Sequence, residues 1–426
     1  MEISLCLPSE ASTVLVVRDM ATGARDVTSS PSSMEGESPS SGEGMLARVL
    51  VEARHLHPED LGALLRRWGA PAGIEEPVIY IADRDQIQLT PLDETTGSAE
   101  PVDGSLAGRS YQRGEPIWVE HDQEGHAWFP LTDGTSRVGV MRARLDPSDP
   151  SAMARGVDLA SLVAYLLVAK APLSDRLARL LNAQPLTLAA EMRWAALPPL
   201  SFQEKRVAVG AMLQPAYEIA GDTIDYAVDG DTLSVAIFDA MGHGLTASQL
   251  ASTAVYAYRL GRRQQLPLED LYRSIDDAVA GQFGDESYVT AQLATLDLAS
   301  GSLHSICAGH PQPLLLRDRT SIHELPADTH LPLGLGHRDV AVTEQHLQPG
   351  DTIVYYSDGI SEARAADGEE FGVERLKDFL VRAAASDLMP AETARRALHA
   401  VRDHHQDHLV DDATLVLINW RGDTAG

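Results

Sequence analysis

The stretch SVAIFDAMGHGLTASQL, residues 234–250, decides the reading of the carboxy-terminal half of the chain. An apolar, strand-like run ends in a carboxylate, Asp239. A loop rich in small residues, with His243 in it, follows, and helical periodicity then begins. Turns favour Asp for local hydrogen bonding, so one acid at a strand end needs no further explanation. An acid at the tip of a buried strand, beside a loop stripped of side chains, is also where a metal ion and its substrate would fit.

Three further segments repeat the placement. VYYSDG ends in Asp358 followed by glycine. VDDATLVLI sets Asp411 and Asp412 at the entrance of an apolar strand, and EIAGDTIDY offers Asp222 and Asp225 after a glycine. Strand ends are rigid, so acids placed there can converge with fixed geometry. Gathered in one cleft they repel and raise one another's pKa. A hard divalent cation removes that repulsion, and oxygen-only donors with water suit Mg²⁺ or Mn²⁺. Two such ions bridged by a carboxylate lower the pKa of a shared water and clamp the attacking and leaving oxygens of an in-line displacement. Ala240, Gly242 and Gly244 would let backbone approach the ions, with a carbonyl as ligand. Thr246 with Gln249 reads as a capping box for the helix that follows.

The surrounding residues, 201–422, alternate apolar strands with turns. The runs 288–297 and 302–308, joined by Ala-Ser-Gly, form a hairpin. Helices are expected near 246–263, 266–282, 373–385 and 390–405. Antiparallel strands with grouped helices predict two sheets flanked by helices.

The segments AGDTIDY, IFDAMGHG, AGHPQPLLL, LPLGLG, YYSDGISEA and DDATLVLI occur in the order found in metal-dependent serine/threonine phosphatases of the SpoIIE/RsbU type. AAEMRWAALPP resembles the helix that precedes the catalytic domain there. The resemblance covers about 200–420 and implies an α-β-β-α sandwich with two Mn²⁺ or Mg²⁺ ions between the sheets. By position it implies Asp239 as bridging ligand, Ala240 as carbonyl ligand, and Asp222, Asp358 and Asp411 as further ligands. Asp225 and Asp412 are each a water-mediated ligand or a turn acid. The first motif here reads Ala220-Gly221-Asp222, where the family usually has Gly-Gly-Asp. His243 is either the proton donor to a leaving serine oxygen or a loop anchor. His310 is expected to be structural, and HHQDH at 404–408 a solvated helix face.

Upstream, residues 45–172 read as a compact α/β pattern. MLARVLVEARHL is helical, EPVIYIAD and QIQLTPL are strands, and SLAGRSYQRGEPIWVE is a helix, a turn at Gly114 and a strand. AWFPLTDGTSRVGVMRARL is a hairpin, and a helix at 157–170 closes the unit. This order resembles a GAF domain, a sensory and dimerisation module. Residues 173–200 read as a helical connector broken at Pro185, and 1–44 as a largely disordered tail, Ser-, Pro-, Gly- and Glu-rich over 24–44. The fold class expected is therefore α+β multidomain: a GAF-like α/β domain followed by the sandwich.

Composition bounds the function. The chain has 426 residues, 62 acids against 34 bases and a formal charge of −28. Nucleic acid or an anionic membrane would need a basic face, so neither is expected as a partner. Cys6 and Cys307 stand far apart with no CxxC, so no disulfide framework is expected, and a reducing cytoplasm fits. No secretory signal is read at the amino terminus, and LASLVAYLLVAKAPL reads as a packed helix too short to span a bilayer. The main functional expectation is a phosphoprotein phosphatase. By resemblance its substrate is a phosphorylated anti-sigma-factor antagonist of the STAS type, with a homodimer formed through the GAF-like domain and connector. The competing expectation is a phosphoprotein-binding scaffold of the same fold with little or no turnover.

Overall fold

Side chains alternate along a strand, so parity decides which layer each residue joins. In the computed structural model, which describes residues 16–19, 42–121, 124–134, 136–146, 148–284, 286–365, 368–405 and 411–422, that alternation builds two separate units, 1–183 and 184–426.

The first unit contains β1 (Val16–Asp19), α1 (Gly42–Ala53), α2 (Leu61–Gly69), β2 (Ile74–Ala82), β3 (Gln88–Pro91), β4 (Glu100–Pro101), α3 (Leu106–Arg113), β5 (Ile117–His121), β6 (Glu124–Thr132), β7 (Arg137–Leu145), α4 (Ala152–Lys170) and α5 (Asp175–Leu181). Its seven strands form one antiparallel sheet in the order β1-β5-β6-β7-β2-β3-β4. Gly114, at φ +66°, caps α3 in the left-handed conformation that glycine adopts without strain.

Three expectations change here. Val16–Asp19, which in the sequence had no evident partner, extends the sheet by pairing with Ile117–Glu120. Helix α1 starts at Gly42, inside the span read as tail; the remainder of 1–41 lies outside the described residues. Helix α4 starts at Ala152 rather than 157, and Ala152–Leu173 is long and apolar enough, by length and composition, to cross a membrane. Its Leu159, Ala160, Val163 and Leu167 are buried in the core over the sheet, and Gly156 leaves room for the Phe129 ring, which a Cβ would meet at 2.2 Å.

The second unit contains α6 (Leu188–Ala196), β8 (Ser201–Gln203), β9 (Val207–Gln214), β10 (Asp222–Asp229), β11 (Thr232–Ala240), α7 (Gly244–Arg263), α8 (Leu268–Phe283), β12 (Val289–Asp297), β13 (Ser302–Ala308), β14 (Leu314–Arg317), β15 (Ser321–Glu324), β16 (Thr329–His330), β17 (Thr343–His346), β18 (Thr352–Tyr356), α9 (Asp358–Ser361), α10 (Gly372–Ala385), α11 (Pro390–His404) and β19 (Ala413–Trp420). One sheet runs β10-β11-β12-β13-β16, with β17 on β13; the other runs β15-β14-β18-β19-β9-β8.

Three apolar layers follow. Ile224, Tyr226, Val235 and Ile237 meet Ile353, Tyr355, Val416 and Ile418 between the sheets. Ala236, Phe238 and Leu293 pack outward under α7 and α8. Met212, Val354 and Leu415 pack outward under α10 and α11. The layers are thus helix, sheet, sheet, helix. The stretch read as a connector, 173–200, is divided between the units: α5 belongs to the first and α6 to the second.

Candidate metal centre

Parity carries the inter-sheet layer to one end of the sandwich and changes its chemistry there. Asp222 continues the row of Ile224 and Tyr226, and Asp239 continues Val235 and Ile237. From the facing sheet, Ser357 continues Ile353 and Tyr355, and Thr414 continues Val416 and Ile418. An apolar core therefore ends in a polar layer. Asp222 and Asp239 are direct cross-strand partners, a position in which like charges destabilise.

The electrostatics reflect that crowding. Burial, then Asp239 and Asp412, drives the Asp222 carboxyl well above the carboxylate range. Its Oδ2 is buried with no hydrogen-bond partner. Burial, then Asp358, Asp411 and Asp412, pushes Asp239 up to about 7. Asp358 opens α9 and is raised by burial, then by Asp411 and Glu362. Asp411 stands exposed at the mouth. A buried, unpaired carboxylate oxygen among mutually repelling acids is a donor set whose chemistry fits a hard divalent cation. Among the described residues, however, no three His, Cys, Asp or Glu side chains are arranged to hold a metal ion.

Asp412 does something different. Its Oδ2 accepts three backbone N–H groups, from Ala220 at 2.9 Å, Gly221 at 2.7 Å and Asp222 at 3.1 Å. It thereby ties the loop before β10 to the start of β19. Burial still raises its pKa against those three bonds. Two glycines permit the close approaches. A Cβ on Gly359 would lie 2.1 Å from the Asp412 carbonyl oxygen, and one on Gly221 2.7 Å from that of Ala240. Ala220 is accommodated: its methyl sits with Ala189 of α6 and Ala247 of α7 in a small buried cluster.

Asp225, in contrast, is turned away by parity. It accepts Arg259 at 2.8 and 3.0 Å and Arg262 at 3.2 Å, both from α7. It is neither a turn acid nor part of the acid cluster. The expected capping box is also absent: α7 begins at Gly244, its N-cap is His243, and Thr246 lies inside the first turn. The His243 side chain makes no capping hydrogen bond and stands exposed. It lines a cleft of about 400 Å³ together with Asp411, Asp412 and Leu245 on one side and Thr187 to Ala189 of α6 on another.

His310 is buried, and burial pushes its pKa down to about 3. Its Nδ1 lies 2.9 Å from Thr290 Oγ1, which in turn lies 3.5 Å from Asp239 Oδ2. The Thr290 hydroxyl thus stands between the neutral imidazole and the Asp239 carboxyl. Of the histidine cluster near 404, His404 packs edge-on against Phe371 and lies beside Arg375; residues 406–408 lie outside the described residues.

Two positioning residues escaped the sequence reading. Arg193 of α6 is fully buried and bonds Ser248 Oγ, the Ser248 carbonyl and Ser252 on α7. Asp276 of α8 accepts Gly334 N–H at 2.7 Å and Gly336 N–H at 3.2 Å, fixing the loop beside β12. An arginine inside the apolar run AAEMRWAAL was the available signal for the first. Asp276 had none, since it is one of two adjacent acids on an amphipathic helix.

Residues 229–421 match the family model described as Stage II sporulation protein E (SpoIIE). The phosphoserine phosphatase RsbU of Bacillus subtilis (strain 168) is 26% identical over 168 residues, 39% of this chain and 50% of RsbU. Protein IcfG of Synechocystis sp. (strain ATCC 27184 / PCC 6803 / Kazusa) is 22% identical over 200 residues, 40% of this chain and 32% of IcfG. The chain thus spans half or less of the curated relatives it matches. The SiaA-PP2C domain of Pseudomonas aeruginosa superposes with a TM-score of 0.46 at 21% identity, over 55% of this chain and 94% of that one. The segment 229–421 is therefore similar to the SpoIIE family and, within it, to the phosphoserine phosphatase RsbU.

Proposed function

We propose that the second unit hydrolyses phosphoserine or phosphothreonine in a protein substrate. The observation that supports this best is the convergence of Asp222, Asp239, Asp358 and Asp411 on one end of the inter-sheet layer, with mutual repulsion and one buried oxygen unpaired. Those four, with the Ala240 carbonyl, are the groups to hold two Mn²⁺ or Mg²⁺ ions. Such ions, when bound, supply a water of lowered pKa and charge compensation for the phosphoryl oxygens. Asp412 holds the backbone that presents Asp222, and Thr290 with neutral His310 orients Asp239. In this reading His243, exposed in the cleft wall, protonates the departing serine or threonine oxygen.

RsbU is named a phosphoserine phosphatase. Together with the motif order, this supports a phosphorylated STAS-type anti-sigma-factor antagonist as substrate in a cytoplasmic partner-switching pathway. We assign the first unit a sensory role of the GAF kind, acting as a homodimer. Helix α6, latched to α7 through Arg193, would carry the signal to the loop 241–244.

A second reading has its own observation: no three of the acids are arranged to hold an ion, as in a binding scaffold with little turnover. Hydrolysis of p-nitrophenyl phosphate with Mn²⁺ separates the two. Turnover that Asp239→Ala and Asp358→Ala both abolish supports the phosphatase. Mn²⁺ binding without turnover, on this substrate and on a phosphorylated STAS protein, supports the scaffold.

A further inference from the structure

At the far end of α7 from the acids the second unit carries another opening, a cavity of about 840 Å³. The 20 residues of α7 set the two about 30 Å apart at 1.5 Å per residue. Strand β10 runs the same way, from Asp222 among the acids to Asp229 on the cavity rim.

The cavity forms because the helix layer stops before the sheet does. Farther in, the sheet meets α7 and α8 with Ala236, Phe238 and Leu293. At this end the same face presents Ala227, Ser234 and Thr295, which are cross-strand neighbours in one row. Small and hydroxyl side chains therefore make a floor where bulky apolar ones would have closed the core.

The walls are unlike each other. The α7–α8 turn contributes Leu266, and the first turn of α8 contributes Leu268 and Leu271. Gly261 allows this turn to close tightly, since a Cβ there would meet Leu271 at 2.5 Å. The last turn of α7 contributes Arg262 and Arg263. Arg262 gives Nη2 to Asp225, but its Nε is buried without a hydrogen-bond partner. Arg263 is exposed and has no ion pair among the described residues. Tyr258, in the same wall, buries a hydroxyl that also lacks a partner.

We propose that this cavity is a second binding site, for a small organic anion with an apolar body. The exposed guanidinium of Arg263 receives the anionic group, with Arg262 beside it in the same wall. The leucine wall takes the apolar part, and the hydroxyl floor supplies hydrogen bonds at its edge. In a chain carrying −28 overall this end selects for charge sign: Asp225, shared by Arg259 and Arg262, and the rim acid Asp229 offset two of the three guanidinium charges, and the balance stays positive.

Anilinonaphthalene sulfonate, an organic anion with an aromatic body, is the probe. Fluorescence titration of the full chain should show one saturable site. Arg263→Glu should weaken it about tenfold, Thr295→Trp should fill the floor and remove it, and Arg319→Glu, an exposed charge reversal elsewhere in the unit, should leave it unchanged. Added salt should weaken binding to wild type and have little effect on Arg263→Glu. Absence of saturable binding, or binding that survives Arg263→Glu at full strength, overturns the proposal. If Thr295→Trp does not fold, Arg263→Glu decides alone. No activity is read, so this result is independent of the phosphatase assay.

Discussion

The acid cluster should make the metal-free protein less stable than it need be, and Asp239→Asn should reveal by how much. Asp239 lies opposite Asp222 across two hydrogen-bonded strands and has its pKa pushed up to about 7 by burial and by Asp358, Asp411 and Asp412. A carboxyl whose folded pKa lies above its unfolded value binds more protons when folded, so stability falls as pH rises between the two. The window runs from about 4, the ordinary carboxylate value, to about 7, at roughly 1.4 kcal/mol per pH unit. Between pH 5.5 and 8 the wild type should lose about 2 kcal/mol from this group alone. Asparagine has no such titration. Any packing defect it introduces is the same at both pH values and cancels in the comparison. The stabilisation by Asp239→Asn should therefore be about 2 kcal/mol larger at pH 8 than at pH 5.5, a difference in Tm shift of roughly 4–8 °C. Calorimetry in excess chelator measures it. With Mn²⁺ added at pH 8 the order should reverse, because the cation cancels the repulsion in the wild type and finds one ligand fewer in the variant. A benefit from Asp239→Asn equal at both pH values would show that the acids do not repel in the folded chain, and the case for a shared cation would fail with it.

Three other perturbations separate positioning from ligation. Asp225→Ala should cost about 3–5 kcal/mol by leaving Arg259 and Arg262 unpaired in a buried setting, while Mn²⁺ affinity by calorimetric titration stays at the wild-type value. Arg193→Ala should cost about 2–4 kcal/mol and speed amide exchange in 188–196 and 244–252, the two segments its side chain joins. Gly359→Ala should cost several kcal/mol, about 3 or more, because the new methyl meets the Asp412 carbonyl oxygen at 2.1 Å; the thermal midpoint reads it directly.

Much of the second unit was legible because strands and helices there carry strong, local signals. Apolar runs ending in Asp marked β11 and β18, and helices expected at 246–263 and 390–405 occur at Gly244–Arg263 and Pro390–His404. What the sequence hides is parity across strands. Asp222 and Asp225 look alike in AGDTIDY, yet three residues of strand put them on opposite faces, one among acids and one among arginines. Their difference depends on which face of β10 meets the other sheet, and no residue of the motif states that. Asp411 and Asp412 are harder still: adjacent acids, one exposed at the mouth and the other spending its Oδ2 on three amides some 190 residues earlier in the chain. The capping box failed for a nearer reason. Gly242 and Gly244, at φ +88° and +69°, turn the chain early enough for the helix to start two residues before Thr246.

The same reasoning explains why the acids alone do not decide between enzyme and scaffold. Three of the carboxylates are held by other groups: Asp222 by the Asp412 clamp, Asp239 by Thr290 and the neutral His310, and Asp358 by the tight passage of Gly359. One wall of the cleft is α6, held to α7 by Arg193 and to the end of the sandwich by the Trp194 indole on the Ala216 carbonyl at 2.7 Å. A shift of α6 would therefore move Ala189 against Ala220, and Ala220 adjoins the Asp412 clamp. Activity in this unit should thus depend on the packing of three alanine methyl groups as much as on the acids. Ala220→Gly loosens that packing and leaves every carboxylate in place. It should lower turnover several-fold while Asp239→Asn removes it entirely. Turnover unaffected by Ala220→Gly would mean that α6 merely covers the site.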